Sequence, residues 1–452
     1  MKRLLAMLIC LALLLPCAGA QAAQGLPLQD CHKVTLKQTE QQQQNGAKAV
    51  RWTIDTVLDS VDEELNGLTK DYINKLAPKL QKPGSTSNEN SRLTVSIRPS
   101  RTGLTWMSFM VQARTLYHQQ NTALEFTTRT YDMTTGERIM LADVFPADSE
   151  AWTIMASAVR DTVNAYYPGS TATAEALERV TTREALEQMD FTLHGMSLVL
   201  HLDAKQFYPK KNQLIEVTLF YPDIRPYMTE KAQEETDNLS YYYTVALTID
   251  DGPNGWITDK ILQVLMSRGE RATFFLVGER IKQQTFLVQR EHDEGHSIAT
   301  HNWQHVYANV TAKSTLQKMP PKVYNAHVEA IGIPVRYARA PGGHWRGMAE
   351  AEMGWPLIQW TVEAADWQGD SGPDPNRTAA NIVAGTDDGG IILMHDLKRN
   401  SPKAVLLPIA ELQERGYIFL TVDELFAKDG VVMEADTPYW RCTDGHILQE
   451  LP

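Results

Sequence analysis

The run Tyr241-Tyr242-Tyr243-Thr244-Val245-Ala246-Leu247-Thr248-Ile249, followed at once by Asp250-Asp251-Gly252-Pro253, decides the fold. It is apolar, aromatic and β-branched, the pattern of a strand buried on both faces, as in a parallel sheet. A helical pattern follows over 258–268, then a strand (272–277), a helix (282–294) and a strand (297–299). Strand-like runs recur at 335–338, 357–360, 390–394 and 418–421, with helix-like spacers between several of them. Alternating strands and helices predict a parallel α/β sheet, open or closed into a barrel, over 241–430. Such folds carry their chemistry at the C-terminal strand ends.

Polar residues collect at those ends. Asp250 and Asp251 are neighbours at the tip of the first strand, where Gly252-Pro253 turns the chain. On an extended strand two adjacent carboxylates face opposite ways, so one is free to bind a cation while the other acts as a base. His301 and His305 lie four apart, which on a helical turn puts both imidazoles on one face. With Asp251 they make a two-His, one-carboxylate set suited to a divalent metal with open positions. Zn is the first expectation, and Co, Mn and Ni are accepted by the same donors. Arg339-Ala340-Pro341-Gly342-Gly343 supplies a cation able to orient a carboxylate, and glycines that let backbone N–H groups approach a ligand. Trp360 to Trp367 brings Asp366, and the apolar strand Ile391-Ile392-Leu393-Met394 delivers His395. A strand-end His is a candidate general acid.

This ordered set resembles the polysaccharide deacetylases, the NodB-homology carbohydrate esterases of family 4. All of the family's motifs occur in order between residues 241 and 428. The resemblance implies a distorted (β/α) barrel that removes acetyl groups from glycans. It implies Asp250 as base, Asp251, His301 and His305 as metal ligands, and Arg339 as the residue that orients Asp250. It further implies Asp366 as the acid that tunes His395, and His395 as general acid. Gly342 takes the oxyanion position, while Trp367 and Leu393 match walls of the acetyl-methyl pocket. There are departures. Ile249 precedes the Asp pair where an aromatic is usual, and Asn302 follows the first His where Ser or Thr is common. Glu363 stands where an Asp is usual. Gly342 lacks the aromatic side chain of many relatives, which is expected to widen that wall. Trp256, Trp303 and Trp345 are candidate sugar-stacking surfaces.

Upstream, residues 51–228 read as an α+β domain. Ile54, Val57, Leu58, Val61, Leu65 and Leu68 have helical spacing over 52–80. Strand alternation follows from 93 to 131, with a hairpin turn at Thr134-Thr135-Gly136. Helices are expected at 150–166 and 174–189, and strands at 191–202 and 214–220. Thr130 to Gly136, Ile139 to Phe145 and Phe191 to Gly195 resemble the extracellular domain of lysozyme-sensing anti-sigma factors, which also precedes the catalytic domain in some peptidoglycan deacetylases. That resemblance implies a module with a wall fragment or a protein as ligand. Residues 229–240 are polar and acidic and read as a linker or exposed helix, and 431–452 as a tail.

The start of the chain reads as an address. Lys2 and Arg3 precede an apolar run (4–15) and the small residues Ala18, Ala20 and Ala22, the pattern of a secretory signal peptide over 1–22. The run is short for a membrane span, and Pro16 before Cys17 is unlike a lipid-attachment site. The mature chain is expected to be secreted or periplasmic, in the cell envelope, with no transmembrane segment. Residues 23–50, with Gln41 to Gln44, read as a polar tether. Cleavage leaves Cys31 and Cys442, which an exported chain is expected to pair as a disulfide.

Of 452 residues, 55 are acidic and 43 basic, a net charge of -12, which argues against a nucleic-acid partner. The chemistry points to an exported metal-dependent deacetylase of an N-acetylated glycan, with peptidoglycan favoured. Chitin oligomers, an exopolysaccharide or O-acetyl xylan are alternative substrates, and a weakly active wall- or lysozyme-binding protein is the alternative of another class.

Overall fold

The computed structural model describes residues 25–43, 46–80, 91–117, 120–369, 372, 374–443 and 446–448. The expected signal peptide, with Cys10 and Cys17, lies outside them. Among the described residues no helix is long and apolar enough to cross a membrane.

The upstream half is built on a six-stranded sheet. Its strands are β1 (Thr35–Gln42), β2 (Lys48–Asp55), β3 (Ser91–Thr102), β4 (Trp106–Tyr117), β5 (Gln120–Asp132) and β6 (Arg138–Ile139), in that order across the sheet. Only β2 and β3 run parallel, joined by helix α1 (Asp59–Leu76). One face packs on α1 through Val61 and Leu65, against Leu93, Val95 and Ile97. The opposite face carries Arg92, Thr94 and Ser96, the polar half of the same alternation. The expected turn at 134–136 does connect β5 to β6, with Tyr131 opposite Arg138.

The structure departs from the sequence expectations at three places before residue 190. Within the expected tether over 23–50, residues 35–42 and 48–50 are strand, β1 pairing β2 from Thr35–Asp55 to Gln42–Lys48. Residues 52–55 belong to β2, with Trp52 and Ile54 buried on alternate positions, and the helix starts at Asp59. The expected helix over 174–189 is two, Ala174–Val180 and Arg183–Glu187. Thr182 breaks it by capping the second piece, its side chain accepting from Ala185 N–H.

A smaller antiparallel sheet follows: β7 (Phe191–Leu193), β8 (Ser197–Asp203) and β9 (Leu214–Phe220). The expected single strand over 191–202 is thus a hairpin, turned at His194-Gly195-Met196. Helix α2 (Ala151–Ala165) covers β9.

The downstream half is a parallel array. Its strands are β10 (Tyr243–Asp250), β11 (Thr273–Leu276), β12 (Ser297–Thr300), β13 (Leu357–Ile358), β14 (Val362–Glu363), β15 (Gly390–His395) and β16 (Tyr417–Leu420). The hydrogen-bonded order is β12-β11-β10-β15-β14, with β16 beside the first half of β10. Beyond β12, single bridges link Thr300 to Ala338 and Ala338 to Leu357. One margin of the arc is therefore β13 and the other β14, successive parts of the run 357–363. The sheet closes on itself through its own chain, which makes it a distorted barrel. Ala246, Phe275, Ala299, Ile358 and Ile391 form one buried cluster, whereas Val245, Leu247, Phe274, Ile392 and Met394 pack with Ile261, Leu265 and Ile409 of the covering helices. The two-residue period separates the barrel interior from its helical shell.

The halves are packed together rather than strung on a linker. Residues 229–240 form Glu230–Glu235 and Asn238–Tyr241, and Glu235 and Asn238 are buried. Glu235 accepts from Leu104 and Thr105 N–H at 2.9 and 3.0 Å, and Asn238 from Gly103 N–H at 2.8 Å. Buried pairs Arg101–Glu270 (3.4 Å) and Arg114–Asp293 (2.8 Å) cross between the halves. Within the expected tail over 431–452, Pro438–Tyr439 pairs with β13 of the barrel. Cys31 and Cys442 are unpaired, which corrects the expected disulfide. The Cys31 thiol donates to Leu104 carbonyl and that of Cys442 to Asp429, each held in its own half.

Candidate metal centre and active site

Strand β10 ends at Asp250, and the next residue leaves the extended conformation. Asp251 has φ of 77°, a left-handed geometry that Asp adopts more readily than most residues. That twist corrects the expectation that the two carboxylates diverge. Asp250 lies 3.8 Å and Asp251 3.5 Å from the same nitrogen, His301 Nε2. Arg280 donates to the Asp251 carbonyl and fixes the turn.

His301 follows β12 directly. The segment 301–305 is a loop and not the expected helical turn, with Asn302 at φ 68°. Asn suits that conformation, and its side chain accepts from Trp303 N–H at 2.8 Å. The loop still brings His305 Nε2 to 3.3 Å from Asp251 Oδ1. Asp251, His301 and His305 each offer one donor atom within 4.8 Å of the others. Two further observations fit a cation there. Asp251 Oδ1 is buried and accepts no hydrogen bond among the described residues. His301 Nδ1 lies 2.9 Å from the Arg339 carbonyl, which can only accept, so Nδ1 carries the proton and Nε2 presents a lone pair to Asp251. Burial pushes His301 down to about 3, which keeps the imidazole neutral.

Arg339 is fully buried at the seam of the barrel. Its guanidinium donates to Asp250 Oδ1 (2.9 Å), Thr248 Oγ1 (2.6 Å), and the carbonyls of Ile358 (3.1 Å) and Gln359 (2.9 Å). It also lies over the Phe275 ring, 4.3 Å from the centroid. Burial raises the Asp250 carboxyl, and the charges of Arg339 and His395 pull it back. Thr248 was not expected at the site, although its position two before Asp250 on one strand face was the available signal.

His395 ends β15 directly across from Asp250, since the two are register partners on adjacent strands. Asp366 Oδ1 accepts a hydrogen bond from His395 Nδ1 at 2.8 Å, and its other oxygen accepts from the His395 backbone N–H at 2.8 Å. Burial works against the charged imidazole, but the Asp366 hydrogen bond and charge, with Asp250 and Asp251, outweigh it and raise His395 to about 9. Leu393 is buried one inward position below His395, and Trp367 is half exposed.

Gly342 and Gly343 both have positive φ, 63° and 73°. A Cβ on Gly342 would stand 2.9 Å from the Tyr307 ring, and one on Gly343 2.9 Å from Trp360. The wall at Gly342 is therefore not widened as the sequence suggested: the Tyr307 ring fills the space. Tyr307 also packs edge-on against His305 and His344, at 5.8 and 5.1 Å between centroids. Of the three tryptophans singled out, Trp303 packs over Gly278 and Trp345 against Trp440, leaving Trp256 exposed.

The family profile described as polysaccharide deacetylase matches residues 242–353. A peptidoglycan-N-acetylglucosamine deacetylase of Bacillus cereus is 30% identical over 189 residues, which span 40% of this chain and 87% of that protein. The chain belongs to the polysaccharide deacetylase family. The peptidoglycan-N-acetylglucosamine deacetylase PgdA of Listeria monocytogenes is 30% identical over 205 residues, 45% of this chain but only 43% of that longer protein. A solved structure, a T48 deacetylase with substrate, is 32% identical with a TM-score of 0.41, covering 44% of this chain and 96% of that one. The family's profile thus falls on the half that holds the Asp251, His301 and His305 cluster.

Proposed function

We propose that the chain is an exported, metal-dependent deacetylase that hydrolyses N-acetyl groups of a cell-wall glycan, peptidoglycan in the first place. The observation that carries this reading is the pairing across one site of a buried carboxylate, Asp250, with an imidazole that Asp366 keeps protonated, His395, beside a three-donor metal cluster. The similarity to peptidoglycan deacetylases favours that substrate.

Asp251, His301 and His305 would hold the cation, and Zn suits two imidazole nitrogens and one carboxylate oxygen. Bound there, a divalent ion supplies Lewis acidity toward the acetyl carbonyl and an incoming water. The chain's own groups do the proton work. Asp250, aimed by Arg339, removes a proton from the water as its oxygen bonds to the carbonyl carbon. The backbone N–H of Gly342 steadies the oxyanion. His395 gives its proton to the sugar nitrogen as the C–N bond breaks, releasing acetate and a free amine. Asp366 restores the imidazolium's orientation, and Leu393 and Trp367 wall the methyl group.

Acetate release from purified peptidoglycan and from N-acetylglucosamine oligomers, with and without chelator and beside Asp250→Asn, tests this. Chelator-sensitive release abolished in the variant supports it. A folded, metal-loaded chain that frees no acetate from any glycan sinks it.

A further inference from the structure

The polar face of the upstream sheet lies against the barrel. It faces helix α3 (Gly255–Arg268) and helix α4 (Thr285–Asp293) of the barrel shell across a cavity of about 330 Å³. Arg92, Gln112 and Arg114 border it from the sheet, and Trp256, Gln263 and Gln284 from the barrel. Along α3 the bordering residues run from Trp256 through Asp259 and Gln263 to Met266, one helical face about 15 Å long at 1.5 Å per residue. That is the length of a short oligosaccharide rather than of one sugar.

Two carboxylates of the lining, Asp259 and Glu294, are held by Arg290 on the barrel side, and three donors on the sheet side are left without partners. Arg92 Nε, Gln112 Nε2 and Arg114 Nη1 are N–H groups with no partner among the described residues, and Gln112 and Arg114 are almost wholly buried. Arg92 has no carboxylate within ion-pair reach among the described residues, while Arg114 spends its other nitrogen on Asp293. Buried unpaired donors are costly and mark a place where a ligand's acceptors fit. The larger cavity on the far side of the interface, about 430 Å³, differs in this respect. Its arginines are committed, Arg271 to Glu424 and Arg336 to Asp423.

Trp256 stands at the upper end of the groove, with 55% of its surface exposed. It lies six residues past Asp250, on the rim that carries Asp251. Gln284 borders the same end, four residues after Arg280, which bonds the Asp251 carbonyl. An exposed indole face beside planar amide and guanidinium donors suits a pyranose, whose C–H face is apolar and whose edge carries hydroxyl and acetamide oxygens.

We propose that this groove between the two halves binds the glycan chain to one side of the sugar being deacetylated, with acetamide carbonyls and ring oxygens meeting Arg92, Gln112 and Arg114 and a sugar ring lying on Trp256. The inference rests on the deacetylase reading for its ligand class. It makes the upstream half part of the substrate site rather than an appendage.

The test uses the full chain, N-acetylglucosamine dimer and hexamer, and glycan strands freed of peptide. Acetate release gives the ratio of KM for dimer to KM for hexamer. Calorimetric titration of hexamer and strands into chelated protein gives binding without turnover. The parent is expected to favour the hexamer at least fivefold, and Arg92→Ala, Gln112→Ala and Trp256→Ala to bring that ratio toward one and weaken binding at least fivefold. Thermal melts identify a variant that has merely unfolded, and the Arg92 change, on a half-buried strand position, is the least disruptive of the three. Longer chains bound and turned over no better than the dimer, or equally well by folded variants, overturn the groove. Acetate release without any effect of Arg92→Ala leaves the chemistry and removes the groove. Arg92-dependent binding without acetate release does the reverse.

Discussion

Arg339 and Asp250 form a 2.9 Å ion pair in which neither side chain reaches solvent. Removing one partner of such a pair leaves a buried charge, at a cost of about 3–5 kcal/mol. Arg339→Ala is therefore expected to lower stability by that order. It is also expected to cut kcat/KM by roughly 100-fold or more, since Asp250 would take up a proton and cease to act as base. Arg339→Lys keeps the charge but cannot serve Thr248, Ile358 and Gln359 together. It should retain more stability than the alanine variant while the acidic limb of its pH–rate profile moves upward. An unmoved limb in the lysine variant would show that Arg339 does not set the Asp250 carboxylate.

The contact between His395 and Asp366 can be read directly by pH. His395 is raised to about 9, from an ordinary 6.5. A group raised by folding adds stability that is fully present below the unfolded value and is lost as pH climbs through the folded one. Asp366→Asn removes the charge and leaves one acceptor oxygen where His395 uses two. Its destabilisation should be larger at pH 6 than at pH 10. In metal-free protein, NMR titration of His395 should fall from about 9 toward its ordinary range. Activity should lose its alkaline side first, because the leaving nitrogen needs that proton. Equal destabilisation at both pH values would contradict this account.

The parts legible in the sequence are those fixed by short-range pattern. The buried run ending at Asp250, the delivery of His395 by an apolar strand, and the metal-ligand residue types follow from hydrophobic periodicity and donor chemistry. The geometry of the ligands did not follow. A four-residue spacing implies a helix only if the backbone is helical, and Asn302 in the left-handed region makes a loop that joins the same two imidazoles. Thr248 and Tyr307 were missed for a different reason. Their roles come from contacts between residues far apart in sequence, Thr248 with Arg339 and Tyr307 with Gly342, which no local window contains. The order within the polar segments 23–50 and 229–240 is not legible because their partners are distant strands and turns. Gln and Glu content alone reads as solvated chain, yet Glu235 is buried by bonds to Leu104 and Thr105.

Removal of the cation has a structural signature apart from activity. The three donors face one another across a buried oxygen without a proton donor. A ligand that binds only the folded chain stabilises it by about 2.7 kcal/mol at a hundred times its dissociation constant. Zn is expected to raise the unfolding temperature by a few degrees in the parent and not in His301→Ala. His305→Ala should show a partial response, since His305 is the most exposed of the three. A zinc shift that survives in both variants would place the metal elsewhere.

Tyr307 supplies the wall beside Gly342. Gly342 sits at φ 63°, where an L side chain costs about 1–2 kcal/mol, and its Cβ would collide with the Tyr307 ring. Gly342→Ala should thus lose stability for two separable reasons. Tyr307→Ala removes the collision but leaves the backbone cost, and it opens the flank of His305. The double variant should be less damaged than the sum of its parts, by about 0.5 kcal/mol or more in a double-mutant cycle. The single Tyr307→Ala change should admit bulkier acyl groups, since the ring is what closes the space that Gly342 leaves. Release of propionate relative to acetate from matched N-acyl oligomers measures this. Additive stabilities together with an unchanged acyl preference would mean that Tyr307 merely packs beside the site.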